Sequence, residues 1–184
     1  MADTIAPWRV LDSRTAYETD WFRIRADRCE MPKGEIVDAF YVIECRDWVC
    51  VAALTLQGEL VLVRQYRHGE GAITLELPAG EIDQDEDPIA AARRELLEET
   101  GYRGGEARVV SVTSPNPSRY ANRLHVVLIE GVEAGPQGQN DRHEATEAEL
   151  WPVSAVRDLF LEPRFSNSSQ AGGLAAALVS AGKL

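Results

Sequence analysis

The chain predicts an α/β fold: a mixed β-sheet covered by helices, with an antiparallel β extension at the N-terminus. Three observations carry this. Strand-like and helix-like segments alternate without a regular βαβ rhythm, which favours a mixed sheet under helices. The runs Trp48–Leu54 and Leu60–Tyr66 are rich in Val and Leu, as a buried sheet requires. The first part of the chain reads as strands separated by turn residues.

In chain order, Trp8–Tyr17 and Trp21–Cys29 are strand-like, Pro32-Lys33-Gly34 is a turn signal, and Ile36–Cys45 returns as a strand. Gln57-Gly58 joins Trp48–Leu54 to Leu60–Tyr66 as a hairpin. Ile73–Leu77 is a short strand ending at Pro78-Ala79-Gly80, and a loop with five acids follows. Pro88 suits the first turn of a helix running to about Thr100, where Gly101 stops it. Ile89, Ala92 and Leu96 form its apolar stripe. Ala91 and Ala92, being small, let a neighbour approach closely. Ala107–Thr113, Leu124–Ile129 and Glu149–Val153 read as strands. Helices are expected at Ser154–Leu161 and Asn167–Ser180, the latter with Asn167 as N-cap.

The 184 residues suit one domain with a small appendage, and 45% hydrophobic residues can bury a core. A net charge of −11 argues against nucleic acid or an anionic membrane surface as a partner. Cys29, Cys45 and Cys50 form no metal-ligand or redox spacing and fit a reducing compartment. Met1–Trp8 lacks an apolar signal-peptide core, and no apolar run reaches membrane-spanning length. The expectation is a soluble cytoplasmic protein.

The informative segment is Gly80–Tyr102. Glu95, Glu98 and Glu99 stand at i, i+3 and i+4 of a helix, on one face within roughly 100° of arc. Like charges so placed destabilise a helix by a few tenths of a kcal/mol per pair, or each loses ionisation. A hard divalent cation with oxygen ligands turns the repulsion into attraction. Taken singly, Glu98 or Glu99 reads as a solvated face, and Arg94 as a surface partner for Glu98.

The full pattern resembles the signature of the Nudix hydrolases, with Gly80, Glu86, Arg94, Glu95, Leu96, Glu98, Glu99 and Gly101 in its places. Tyr102 stands where the family has an aliphatic residue. Chance agreement at the fixed positions is about one in 10⁸ per start point. The resemblance implies an α/β/α sandwich over residues 47–184 and a β extension over residues 1–46. It implies Mg²⁺ (Mn²⁺ as a substitute) held at a solvent-facing site by Glu95 and Glu99, then Glu98, with the carbonyl of Ala79 as a further ligand. Arg94 would brace the glutamates and Glu86 would order the loop. The family splits nucleoside diphosphates linked to another group.

Val61–Arg67, Leu75–Gly80 and the β-rich extension resemble the ADP-ribose pyrophosphatase branch, which implies a nucleoside diphosphate sugar as substrate. Arg67, with Arg64 beside it, would then contact the diphosphate; alternatively, Arg67 caps a strand end beside Glu70. Pro115 lies in the segment Ser114–Ser118, where the branch has a Pro-Gly form that this chain lacks. A general base would come from a loop spanning residues 139–149, as Glu144 or Glu147, or from the helix as Glu98. Trp8, Trp21, Phe22, Phe40 and Tyr41 read as core or interface. The resemblance implies a homodimer exchanging the extension, with Trp21 near the partner's nucleobase. Rival readings are a Nudix hydrolase of dinucleoside polyphosphates or coenzyme A, and a non-catalytic sugar-nucleotide sensor.

Overall fold

The computed structural model describes residues 5–135 and 145–184. The chain falls into two units: Met1–Arg46 with Ser114–Arg123, and Asp47–Thr113 with Leu124–Leu184. The second piece of the first unit lies inside the span the sequence assigns to the main domain.

In the first unit, β1 (Arg9–Glu18), β2 (Arg23–Glu30) and β3 (Ile36–Glu44) form an antiparallel sheet in that order. The β1–β2 turn closes where the Thr19 hydroxyl accepts from the N–H groups of Trp21 and Phe22, both at 3.2 Å. Buried Asp27 keeps its charge because Ser13 (2.7 Å) and Arg25 (2.8 Å) donate to it. Ser114–Arg123 joins this unit through the end of β3. The Ile43 N–H donates to the Arg119 carbonyl (2.8 Å), and the Ala121 N–H donates to the Ile43 carbonyl (2.9 Å). Trp8 packs edge-on to Phe40 at 5.6 Å, with the Arg119 guanidinium 5.2 Å from the Phe40 ring centre. Trp8, Trp21, Phe22 and Tyr41 are exposed, so they are not core residues of their own unit.

In the second unit, seven strands form one mixed sheet: β4 (Trp48–Thr55), β5 (Glu59–Arg67), β6 (Ala72–Glu76), β7 (Ala79–Glu81), β8 (Tyr102–Thr113), β9 (Leu124–Ala134) and β10 (Thr146–Pro152). The order is β10-β5-β4-β9-β8, with β6 on β5 and β7 on β4. β4 pairs with β9 in parallel, and the other pairs are antiparallel. β4 explains the layering. Val49, Val51 and Ala53 share a core with Ala91, Ala92 and Leu96 of helix α1 (Pro88–Thr100). Cys50, Ala52 and Leu54 alternate with them and share a second core with Leu174, Ala177 and Leu178 of helix α3 (Ser168–Ser180). The result is the expected α/β/α sandwich. Ala91 and Ala92 are fully buried; the neighbour their small size admits is the sheet.

Several boundaries differ from the sequence reading. β8 begins at Tyr102, although Gly104 and Gly105 have φ of +79° and +73° and read as breakers. Arg93 holds this stretch by donating to the carbonyls of Gly104 (2.8 Å) and Gly105 (2.9 Å). β9 runs past Ile129 to Ala134, and β10 starts at Thr146. Pro78-Ala79-Gly80 leads into a short strand, because the Val51 N–H donates to the Pro78 carbonyl (2.8 Å). The helix expected at Ser154–Leu161 is a 3₁₀ turn (Val153–Ala155) followed by the single turn α2 (Val156–Leu159). The Leu161 N–H already bonds back to the Asp158 carbonyl at 3.0 Å, an i to i+3 closure that ends α2.

Candidate active site

Helix α1 carries the site and is fixed at both ends. Asp87 caps its start, accepting from the N–H groups of Ile89 (2.9 Å) and Ala90 (3.3 Å), with Pro88 in the first turn. Gly101 ends it in the left-handed region (φ 74°) and donates to the Leu97 carbonyl. The helical phase between these caps is therefore set, and with it the directions of its glutamates.

Arg94 is the hub. It donates to both oxygens of Glu86 (Nε–Oε1 3.0 Å, Nη2–Oε2 2.9 Å), to Glu95 Oε1 (2.6 Å) and to the Glu81 carbonyl (3.0 Å). Its contact with Glu98 Oε2 is longer, 3.4 Å. The fork on Glu86 is a bidentate, charge-assisted pair. The Asp83 N–H also donates to Glu86 (3.0 Å), so one carboxylate ties the acidic loop to the helix. The sequence reading of Arg94 as brace and Glu86 as loop organiser describes these contacts.

The repulsion among the glutamates is answered by protein groups. Glu99 is buried, and its Oε2 accepts from the Ala79 N–H at 2.9 Å. The Glu99 backbone carbonyl accepts from the Thr146 hydroxyl, 2.9 Å away. Glu95 lies against Gly80: a Cβ built there would sit 2.0 Å from Glu95 Oε1. Adjacent residues of β7 thus meet glutamates one turn apart on α1. Strand alternation turns the Ala79 N–H and carbonyl away from β4, to the side where Glu99 lies. A solvent-facing site was expected. Instead Glu99 is 4% exposed and the Glu95 side chain 12%, while Glu98 is 45% exposed. The sheet under α1 buries its inner carboxylates.

Hydrogen bonds from Arg94 hold the Glu86 carboxyl below its usual 4.5, and Glu86 in turn raises the Arg94 pKa. A carboxylate with a depressed folded pKa contributes stability that is full above its unfolded value and is lost as pH falls through the folded value. The thermal midpoint should therefore fall with acidification below about pH 4.5, and Arg94→Met should show a shallower slope there. Melting curves between about pH 3 and 6 measure it; equal slopes in both proteins would remove Arg94 as the cause.

Among the described residues, no three His, Cys, Asp or Glu side chains converge closely enough to hold an ion. Glu95 and Glu98 face Arg94 rather than a common point. The donor chemistry nevertheless fits a hard cation. Glu95, Glu98, Glu99 and the Ala79 carbonyl offer only oxygens, and Gly80 leaves a cradle that a Cβ would fill.

The other expected site residues fall in separate places. Arg67, the last residue of β5, forks onto buried Glu76 (Nε–Oε1 2.8 Å, Nη2–Oε2 3.0 Å). Glu70 accepts from the Ser166 hydroxyl at 2.8 Å. Arg64 faces Glu147 across the β5–β10 ladder at 3.6 Å. Glu147 is therefore a residue of β10, not of the preceding loop, and Glu144 lies outside the described residues. Trp21, in the β1–β2 turn, and Pro115 belong to the first unit. Sequence reasoning passed over Glu76, although a lone acid flanked by Leu75 and Leu77 in a short strand was the available signal.

Fold and site define a Nudix hydrolase. The chain belongs to that family: residues 46–170 match the NUDIX domain. Residues 8–43 match the nucleoside diphosphate sugar hydrolase N-terminal domain. An ADP-ribose pyrophosphatase of Mycobacterium tuberculosis is 30% identical over 171 residues, covering 92% of this chain and 82% of that protein. The ADP-sugar pyrophosphatase of Mus musculus is 42% identical over 106 residues, 56% of this chain. The match spans 46% of the mouse protein, about half its length. A crystal structure of an ADP compounds hydrolase superposes with a TM-score of 0.84 at 21% identity, covering 100% of both chains, which speaks to the fold. Family members generally use a divalent metal. No helix among the described residues is long and apolar enough to cross a membrane.

Proposed function

We propose that this chain hydrolyses the pyrophosphate bond of ADP-ribose or a related nucleoside diphosphate sugar, giving a nucleoside monophosphate and a sugar phosphate. The observation that carries it is the placement of Glu99 and Glu95 against Ala79 and Gly80 within a signature that departs from the family only at Tyr102. The names of the M. tuberculosis and mouse relatives support the substrate class. Mg²⁺, with Mn²⁺ as a substitute, would be held by Glu95, Glu99, Glu98 and the Ala79 carbonyl. When bound, it would screen the diphosphate and acidify a water.

The protein's own part follows from its side chains. Arg67 and Arg64 bring cations to an acidic chain and orient the diphosphate, Arg67 as a planar fork matched to phosphate oxygens. Arg94 keeps Glu95 on its side of the helix. A carboxylate accepts the proton of the attacking water as the anhydride P–O bond breaks. Glu98, Glu144 and Glu147 are the candidates. Gln variants of the three should separate them: only loss of the base removes the acidic limb of the pH–kcat profile. If all three keep that limb, the base lies elsewhere.

We also propose a homodimer through the first unit, because its three-stranded sheet leaves large apolar side chains exposed, Trp8, Trp21 and Tyr41 among them. In that dimer Trp21 would lie near the partner's nucleobase, and Pro115 is a further substrate-binding candidate. Sedimentation should give twice the 20.3 kDa chain mass; a monomer at tens of micromolar would end the dimer reading. Cys29 and Cys50, both buried and outside any disulfide, support a reducing, cytoplasmic setting.

The test of the activity is a sugar-nucleotide panel with Mg²⁺, read as monophosphate release. Turnover of ADP-ribose or another sugar nucleotide supports the proposal. Turnover only of dinucleoside polyphosphates or coenzyme A moves the substrate class. Tight binding of a sugar nucleotide without turnover makes the protein a sensor.

A further inference from the structure

We propose that Glu76 is a positioning residue for substrate binding: it fixes the Arg67 guanidinium, and α3 holds Glu76 in place through Gln170. This rests on the reading of Arg67 as a diphosphate contact.

Glu76 sits in an unusual position for an acid. It is 2% exposed, at the end of β6, between Leu75 and Leu77. Such a charge is costly unless its lone pairs are filled. Here Oε1 accepts from Arg67 Nε (2.8 Å) and the Thr74 hydroxyl (2.7 Å). Oε2 accepts from Arg67 Nη2 (3.0 Å) and Gln170 Nε2 (3.0 Å). Burial pushes this carboxyl up, but the donors outweigh it and the net shift is downward. Glu76 is thus a fixed anion.

The asymmetry of the pair matters. Glu76 is buried while the Arg67 side chain remains 39% exposed, on a cleft also lined by His68, Glu70, Ser166 and Asn167. A fork on the Nε edge holds a guanidinium in one plane, which lowers the ordering cost of meeting a phosphate. A pair serving only stability would gain little from leaving its cation half open to solvent.

Gln170 extends the arrangement. Its Oε1 accepts from the Leu77 N–H at 2.7 Å while its Nε2 donates to Glu76. Leu77 leads directly through Pro78 to Ala79, whose N–H binds Glu99. One buried amide on α3 therefore references both Arg67 and the strand that meets the catalytic glutamates. The sequence separation of 94 residues between Gln170 and Glu76 explains why no local motif announces this.

The experiment is a double-mutant cycle on binding and on turnover. ADP-ribose binding is measured by calorimetry in EDTA, so that hydrolysis does not intervene, for wild type, Arg67→Ala, Glu76→Gln and the double variant. Glu76→Gln should weaken binding about tenfold, and the double variant should bind no more weakly than Arg67→Ala alone. In turnover, KM should rise more than kcat falls. Thr74→Val, which removes one donor while keeping shape, should give a smaller KM rise, and serves if Glu76→Gln does not fold. Glu76→Gln or Thr74→Val binding ADP-ribose like wild type would overturn the proposal. So would Glu76→Gln weakening binding equally in the Arg67→Ala background. A cycle with the expected coupling but no turnover on any sugar nucleotide supports positioning and refutes the proposed activity. Turnover with no coupling refutes positioning alone. Failure of wild type to bind ADP-ribose overturns the positioning proposal, and panel turnover then decides the activity separately.

Discussion

Glu99→Gln should lose turnover by about a thousandfold, roughly 4 kcal/mol of transition-state stabilisation, while melting within a few degrees of wild type. The two halves of this expectation have different causes. Glutamine keeps a carbonyl oxygen where Oε2 now accepts from the Ala79 N–H, so the helix–strand contact can persist. The Thr146 bond uses the Glu99 backbone carbonyl and does not depend on the side chain. What disappears is the negative charge, which is what a divalent cation requires. Burial makes the loss larger than at a solvent-facing glutamate, because water cannot supply the missing ligand field as readily. Monophosphate release and a thermal melt on the same preparation test it. Wild-type turnover would sink the ligand assignment, and a collapse of the melt would make Glu99 a folding residue first.

The fold was legible where local chemistry dictates it. α1 could be bounded from Pro88 and Gly101 because helix-end residues are local signals, and both β4 and β5 follow from runs rich in Val and Leu. Legibility failed where pairing partners are distant. Ser114–Arg123 joins β3 through backbone bonds between Ile43, Arg119 and Ala121, and backbone bonding has no side-chain signature. β7 looked like a turn because its strand character comes from β4. On α1, the spacing alone placed Glu95, Glu98 and Glu99 on one side of the helix as candidates. Their burial was not readable, since it depends on which face of the helix the sheet takes. The bond from Arg67 to Glu76 was not legible for a related reason: the ladder sets Ala72 opposite Arg67 and Glu76 opposite Val63, and only the long Arg67 side chain joins the two.

Gly80→Ala should leave the fold nearly unchanged and lower turnover about a hundredfold. The added Cβ would lie 2.0 Å from Glu95 Oε1, 2.2 Å from Cδ and 2.6 Å from Oε2. All three atoms are the far end of a flexible side chain, so Glu95 can swing aside at the cost of a rotamer, about 1 kcal/mol. The backbone itself is not in the left-handed region, so alanine meets no conformational strain there. Displacing Glu95 nevertheless takes one oxygen ligand away from the Ala79–Gly80 strand and alters its contact with Arg94. A misplaced catalytic group costs on the order of a hundredfold. The accompanying signature is a raised requirement for Mg²⁺: the concentration giving half-maximal rate should shift upward, and titration of the metal at saturating substrate reads it. Glu95→Gln should shift it in the same direction. If Gly80→Ala instead melts far below wild type with its metal requirement unchanged, the glycine serves the turn into α1, and Glu95 lies against it only as packing.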